Sequence, residues 1–213
     1  MSIGGFLERY GEKLFVAMLV HFQYVAVSVA AGFVIALALG ILLSRFPGSS
    51  RYILPVIGVF QTIPGMVFIG VLFIYLGMVP LTIYIALTIY AMFPMLKNTY
   101  SGLIGVNPDI KDAARGCGMT DTQILFKVEL PLAMHAIIAG LRMSTVYTVS
   151  WAVLAAMIGL GGFGEFVYRG IDANNRVLIL GGAVPSAIMA ILLGWLIDYL
   201  QKKFTPRGLG GER

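Results

Sequence analysis

Gly159, Gly161 and Gly164 spell G-x-G-x-x-G, a spacing that cradles dinucleotide phosphates when it follows a strand and opens a helix. Here it follows a long apolar stretch of helical character, so it reads as a helix end and a turn. No G-x-x-x-x-G-K-[ST] occurs, so the chain has no phosphate-binding loop of its own. His21 and His135 stand far apart in sequence; each is expected at an interface, with a proton-carrying role as the alternative. The single cysteine, Cys117, excludes an intrachain disulfide and a cysteine-based metal cluster. A membrane enzyme would need clustered His, Asp or Glu, and none is clustered. No catalytic residue, no metal site and no cofactor held by this chain is expected. What remains are polar groups interrupting apolar sequence, and one long polar insert, residues 107–131.

The elements that carry these groups follow from composition. Of 213 residues, 59% are hydrophobic and 12% charged, where a soluble domain carries about 25% charged residues. The charges are segregated: Phe22–Leu43 is 22 residues without one, Tyr52–Leu96 is 45, Met143–Gly164 is 22 and Val177–Ile197 is 21. A helical span takes roughly 20 residues, so the long run is two spans turned at Gly77–Pro80. Five transmembrane helices are expected, at about 21–43, 52–76, 81–104, 134–159 and 177–199, in an all-α polytopic membrane protein. The first is too long for a signal-peptide core and follows a charged segment, which makes it a retained span. Residues 1–20 have apolar residues at helical spacing and are expected along the membrane surface. Residues 21–200 form the five-span domain and residues 201–213 a tail.

Eleven of the fifteen Lys and Arg fall on the connections after spans 1 and 3, the start of span 4 and the tail. This asymmetry puts the insert and the C-terminus in the cytoplasm and the N-terminus outside a plasma or inner membrane. It also accounts for the net charge of +5. No soluble basic face exists for nucleic acid to bind.

The insert reads as two short helices. Asn107 caps the first, Pro108 suits its first position and Asp109 complements its dipole. Gly118 can take the left-handed conformation that ends it. Thr120 with Gln123 forms a capping box for the second, and Pro131 is expected to close that helix before span 4 begins. The result is an elbow larger than the usual connection of 2–8 residues.

The residues of this elbow, "DAARGCGMTDTQILFKVELP", resemble the signature of the membrane subunits of ABC importers: E-A-A, three residues, G, nine residues, I, one residue, L-P. Asp112, Ala113, Ala114, Gly118, Val128, Leu130 and Pro131 fall at every required spacing, with Asp for Glu and Val for Ile. "QTIPG" (61–65), "PMLKNTYSGL" (94–103), "GLGGFGEFVYRGI" (159–171) and "LILGGAVPSAIMAILL" (178–193) are similar to osmoprotectant permeases, which serve importers of glycine betaine, choline and carnitine. The resemblance implies the MetI-like permease fold of type I importers. It implies that the elbow docks on a cytoplasmic ATPase through Asp112, Ala113, Ala114, Arg115, Gly116, Cys117, Gly118 and Met119. It implies two copies of that ATPase, which holds ATP and Mg, and an extracellular solute-binding protein. A second permease chain, identical or a sister, is also implied, since five spans enclose too little space for a gated passage. Related five-span permeases for methionine and other amino acids share much of this frame.

A path for solute is sought where spans are interrupted. Gln61 and Thr62 precede Pro64 and Gly65 mid-span; this is a pore-lining break or a kink satisfied by packing. Weaker cases are Phe93 beside Pro94 in span 3, and Pro185 with Ser186 in span 5. Thr145, Tyr147, Thr148 and Trp151 put hydroxyls and aromatics on span 4, facing a passage or packing against neighbouring helices. Glu165, Arg169 and Asp172, on a loop of residues 161–176 between spans 4 and 5, are expected to meet the binding protein. Arg142 snorkels to an interface or has a carboxylate partner, and Asp198 is expected in solvent. An ion-coupled transporter is the reading from another class; it needs mid-span charges, and the uncharged runs argue against it.

Overall fold

In an apolar surrounding only a helix or a closed barrel satisfies every backbone group, and long uncharged runs without alternation select the helix. The computed structural model describes residues 3–204, which are helical nearly throughout, with no strand among them. The elements are α1 (Ile3–Ser44), α2 (Pro47–Phe60), α3 (Gly65–Leu76), α4 (Pro80–Ile104), α5 (Pro108–Gly116), α6 (Asp121–Ile124), a π-turn (Leu125–Glu129), α7 (Leu130–Ala152), a 3₁₀ segment (Val153–Ile158), α8 (Phe163–Asp172) and α9 (Arg176–Phe204). Four helical stretches among the described residues are long and apolar enough to cross a membrane. A fifth span arises if α2 and α3, bent by 84° at their break, are taken together. This is the expected all-α, five-span arrangement. The tail's residues 205–213, with Arg207 and Arg213, lie outside the described residues.

α4 occupies the middle, parallel to α1 and antiparallel to α7. Small residues let the backbones approach, as lipid-embedded helices require. A Cβ on Gly40 would come within 2.6 Å of the Thr99 side chain, and one on Gly140 within 3.2 Å of the Met95 Cα. Around these contacts Ile83, Ala86, Leu87, Met95 and Leu96 are buried to 2% exposure or less.

Three expectations change. Residues 3–20 do not form a separate element: they are the first part of one 42-residue helix. No proline interrupts the segment, and Phe6 and Ala17 are buried against Phe166 and Leu178. Pro131 does not end the insert's second helix. The stretch from Asp121 to Ala156 is continuous, because the π-turn before Pro131 absorbs the fault. Proline offers no N–H and clashes with the carbonyl four residues back; here the Leu130 N–H reaches five residues back to the Leu125 carbonyl, widening that turn. Residues 161–176 are not an open loop: most form α8, whose Phe163, Phe166 and Gly170 are buried.

Candidate functional site: a capped elbow and a broken span

The elbow stands at one end of the bundle, between α4 and α7. The Asp109 N–H donates to Asn107 Oδ1 at 2.9 Å, capping α5. α5 ends in a Schellman motif: the Met119 N–H donates to the Ala114 carbonyl at 3.1 Å and the Gly118 N–H to the Arg115 carbonyl at 2.9 Å. Gly118 sits at φ +80°, where a Cβ is strained. Thr120 and Gln123 close a reciprocal capping box, 2.9 and 3.3 Å. Arg115 spans the turn, 3.1 Å from Asp112 and 3.6 Å from Asp121. The sequence thus determines the turn's shape at each step.

That shape presents a surface. Ala114 is buried and Met119 half-buried, while Asp112, Ala113, Arg115, Gly116, Cys117 and Gly118 are exposed. Ile110 and Phe126 add exposed apolar side chains beside them. Beneath the elbow lies Glu129, a buried carboxylate that sequence reasoning passed over. It pairs with Arg45, just beyond α1, and with Lys111 of α5 at 3.4 Å. Its signal in the sequence was a lone acid between Val128 and Leu130, at helical spacing from the core residue Ala133.

The second cluster surrounds the break between α2 and α3. The Tyr90 hydroxyl donates to the Ile63 carbonyl at 2.7 Å, satisfying a group that the interruption frees. Thr62 Oγ1 donates back to the Val59 carbonyl at 2.7 Å. Tyr90 stacks on Trp151 with centroids 4.5 Å apart and planes at 14°, and Phe68 meets Tyr90 edge-on. Gly65 lies so close beneath the indole that a Cβ would fall 1.6 Å from it. Gln61, Phe93, Phe60, Phe68 and Tyr90 line a cavity of ≈ 330 Å³ here. The fold therefore assembles Gln61, Gly65, Phe93 and Trp151 in one place and adds Tyr90 and Phe68, which the sequence reading had not singled out. Tyr90 stands one turn before Phe93 on the same helix, which was the available clue.

Other candidates lie elsewhere. Thr145 and Thr148 are buried, their hydroxyls donating to the Leu141 and Ser144 carbonyls at 2.8 and 2.7 Å. Ser144 donates to the Ala91 carbonyl of α4 at 2.6 Å. Ser144 thus ties α7 to α4, whereas the two threonines bond back along their own helix, and Tyr147 is exposed. Pro185 lines a separate apolar groove with Phe22 and Phe163, and Ser186 is buried. At the bundle end opposite the elbow, Glu165 pairs with Arg169 at 2.5 Å along α8, with Asp172 exposed at its end. Beside them a cavity of ≈ 450 Å³ includes Tyr168, whose phenol burial pushes above its usual range. Gly159 and Gly161, at φ +74° and +78°, turn the chain from the 3₁₀ segment into α8.

For one charge the structure decides between alternatives, and for one histidine it corrects an expectation. Asp198, 38% exposed, pairs with Arg142, whose Nε lies 2.8 Å from its Oδ1, so the carboxylate partner of Arg142 is on α9. His21 is not interfacial but fully buried, its Nε2–H donating to the Val149 carbonyl at 3.0 Å. That carbonyl sits where α7 gives way to the tighter 3₁₀ segment and needs a donor from outside.

The sequence matches the family described as "Binding-protein-dependent transport system inner membrane component" over residues 27–208. It is 36% identical over 216 residues to the carnitine transport permease protein OpuCB of Listeria monocytogenes, covering 99% of both chains. It is 34% identical to the glycine betaine/carnitine/choline transport system permease protein OpuCB of Bacillus subtilis, covering 99% of this chain and 93% of that one. The choline transport system permease protein OpuBB of the same organism is also 34% identical, with coverage of 96% and 94%. Among solved structures, a chain of the MetNI methionine ABC transporter in an inward-facing conformation superposes with a TM-score of 0.81 at 22% identity, covering 91% of this chain and 96% of that chain.

Proposed function

The chain belongs to the binding-protein-dependent inner membrane transport components, ABC importer permeases of MetI-like fold, and from that premise we propose that it carries a compatible solute into the cell on energy from a separate ATPase. The solute is a quaternary ammonium compound such as glycine betaine, choline or carnitine, as the names of its relatives suggest. Two permease chains, identical or sister, sit over two copies of the ATPase, which holds ATP and Mg. An extracellular binding protein delivers the solute. The N-terminus is outside and the elbow and C-terminus are cytoplasmic, as the basic residues favour.

The observation that carries this reading is the elbow: the starts of α5 and α6 and the end of α5 are capped, yet residues 112–118 are mostly exposed. A rigid, presented surface of that kind suits docking by a partner. Residues 112–119 make the contact, and closure of the ATPases moves the elbow and with it α4 and α7. Solute passes along the break at Gln61–Gly65, with Phe93 and Trp151 beside it, between this chain and its partner permease. Thr145, Tyr147, Thr148, Pro185 and Ser186 flank that path at greater distance. Glu165, Arg169 and Asp172 meet the binding protein. The test is uptake of radiolabelled glycine betaine, choline, carnitine and methionine into proteoliposomes holding the complete complex. ATP-dependent uptake of the first three supports the reading, and uptake of methionine alone transfers the chain to the amino-acid permeases.

A further inference from the structure

We infer that Glu129 is a positioning residue that transmits motion between the elbow and the bundle, by holding Lys111 of the elbow and Arg45, just beyond α1, on one buried carboxylate. This rests on the reading of the elbow as an ATPase contact. The Glu129 side chain is 4% exposed. Arg45 grips it with both terminal nitrogens, Nη1 donating to Oε1 at 3.2 Å and Nη2 donating to Oε2. Lys111 Nζ shares Oε1 at 3.4 Å. The turn just beyond α1, the second turn of α5 and the foot of α7 therefore meet at one group.

The backbone is adapted to place it. The inward residues of this continuous helix are Ile124, Glu129, Ala133 and Ile137, at spacings of five, four and four. In an uninterrupted α-helix a spacing of five turns a side chain about 140° away. The π-turn over Leu125–Glu129 inserts the extra residue, so Ile124 holds the elbow's inner face while Glu129 still points inward. Such turns recur at functional sites. The charges also tie the two arms together. Two partly exposed cations, Arg45 at 38% and Lys111 at 22%, face one carboxylate that is 4% exposed, so losing the carboxylate leaves like charges opposed. Displacement of α5 by a partner must then move α1 and α7 together or break the knot.

The test uses the complete complex of permease, ATPase and binding protein in proteoliposomes, with three variants of this chain. Lys111→Met keeps the length of the side chain and cuts only the elbow arm, leaving the Arg45–Glu129 pair. Expected is an assembled complex that still hydrolyses ATP while solute moved per ATP falls about tenfold, a typical coupling effect. Lys111→Arg restores the ratio, and Glu129→Gln lowers it at least as far as Lys111→Met. An unchanged ratio in Lys111→Met overturns the inference. So does a loss of assembly, hydrolysis and transport in equal proportion, which marks a merely structural staple. Thiol crosslinking from Cys117 in the unaltered complex separates the two layers. No link to the ATPase sinks the docking reading itself, whereas a link with an unchanged ratio sinks only the role of Glu129.

Discussion

Gly65→Ala probes how the broken span is held. Its new Cβ would lie 1.6 Å from one Trp151 ring carbon and 2.3 Å from the next, an overlap that adjustments of a few tenths of an ångström do not relieve. The indole has to leave the Tyr90 face, and Tyr90 then loses its seat beneath the Ile63 carbonyl. Overpacking costs about 1–3 kcal/mol, the stacked pair about 0.5–1.5 and the hydrogen bond about 1, so the loss is on the order of 3 kcal/mol or more. Thermal unfolding of the purified chain reads the stability, and uptake by the reconstituted complex reads the path. Both should fall. Trp151→Leu makes room for the Cβ, so the double variant Gly65→Ala/Trp151→Leu should be more stable than the two single losses add up to. Simple additivity, or a Gly65→Ala variant with normal unfolding and uptake, would show that the ring does not hold the break.

Tyr90→Phe should destabilise by about 1 kcal/mol, because the Ile63 carbonyl loses its donor; an unaltered melting temperature would mean another group satisfies it. Gly118→Val should cut solute uptake more than membrane insertion, because a β-branched residue at φ +80° misaims the elbow; equal loss in quantified membranes and in transport would make the glycine a folding requirement only. Cys117 is free and exposed at the turn, so a short thiol crosslinker should join this chain to its ATPase without engineering, and free labelling in the assembled complex with no crosslink would misplace the contact. Arg142→Gln should change stability by less than about 1 kcal/mol, since its pair with Asp198 is 49% and 38% exposed; a collapse in yield would reveal a structural role that this geometry does not suggest.

Local grammar made the elbow legible. Asn107, Pro108, Gly118, Thr120 and Gln123 each act on backbone groups within five residues, so their meaning survives without tertiary context. The spans were legible for a similar reason, since the absence of charge over some 20 residues is a local property. What the sequence hid depends on distant partners. Glu129 and Asp198 look like ordinary surface acids until Arg45, Lys111 and Arg142 arrive from other helices. His21 looks interfacial until the Val149 carbonyl, 128 positions away, lies opposite it. Pro131 misled because proline normally ends a helix, and the π-turn that carries the chain past it has no residue signature of its own. α8 was hidden because ten residues with three charges resemble a loop until Phe163 and Phe166 find α9 and the start of α1.

The measurement that tests the central claim most directly is purification of this chain from its native cell in gentle detergent, with mass spectrometry of what accompanies it. An ATPase bearing a phosphate-binding loop should come down in stoichiometric amount, together with a secreted solute-binding protein. A chain that purifies alone and still moves solute in ATP-free vesicles would contradict the account and mark an ion-coupled transporter instead.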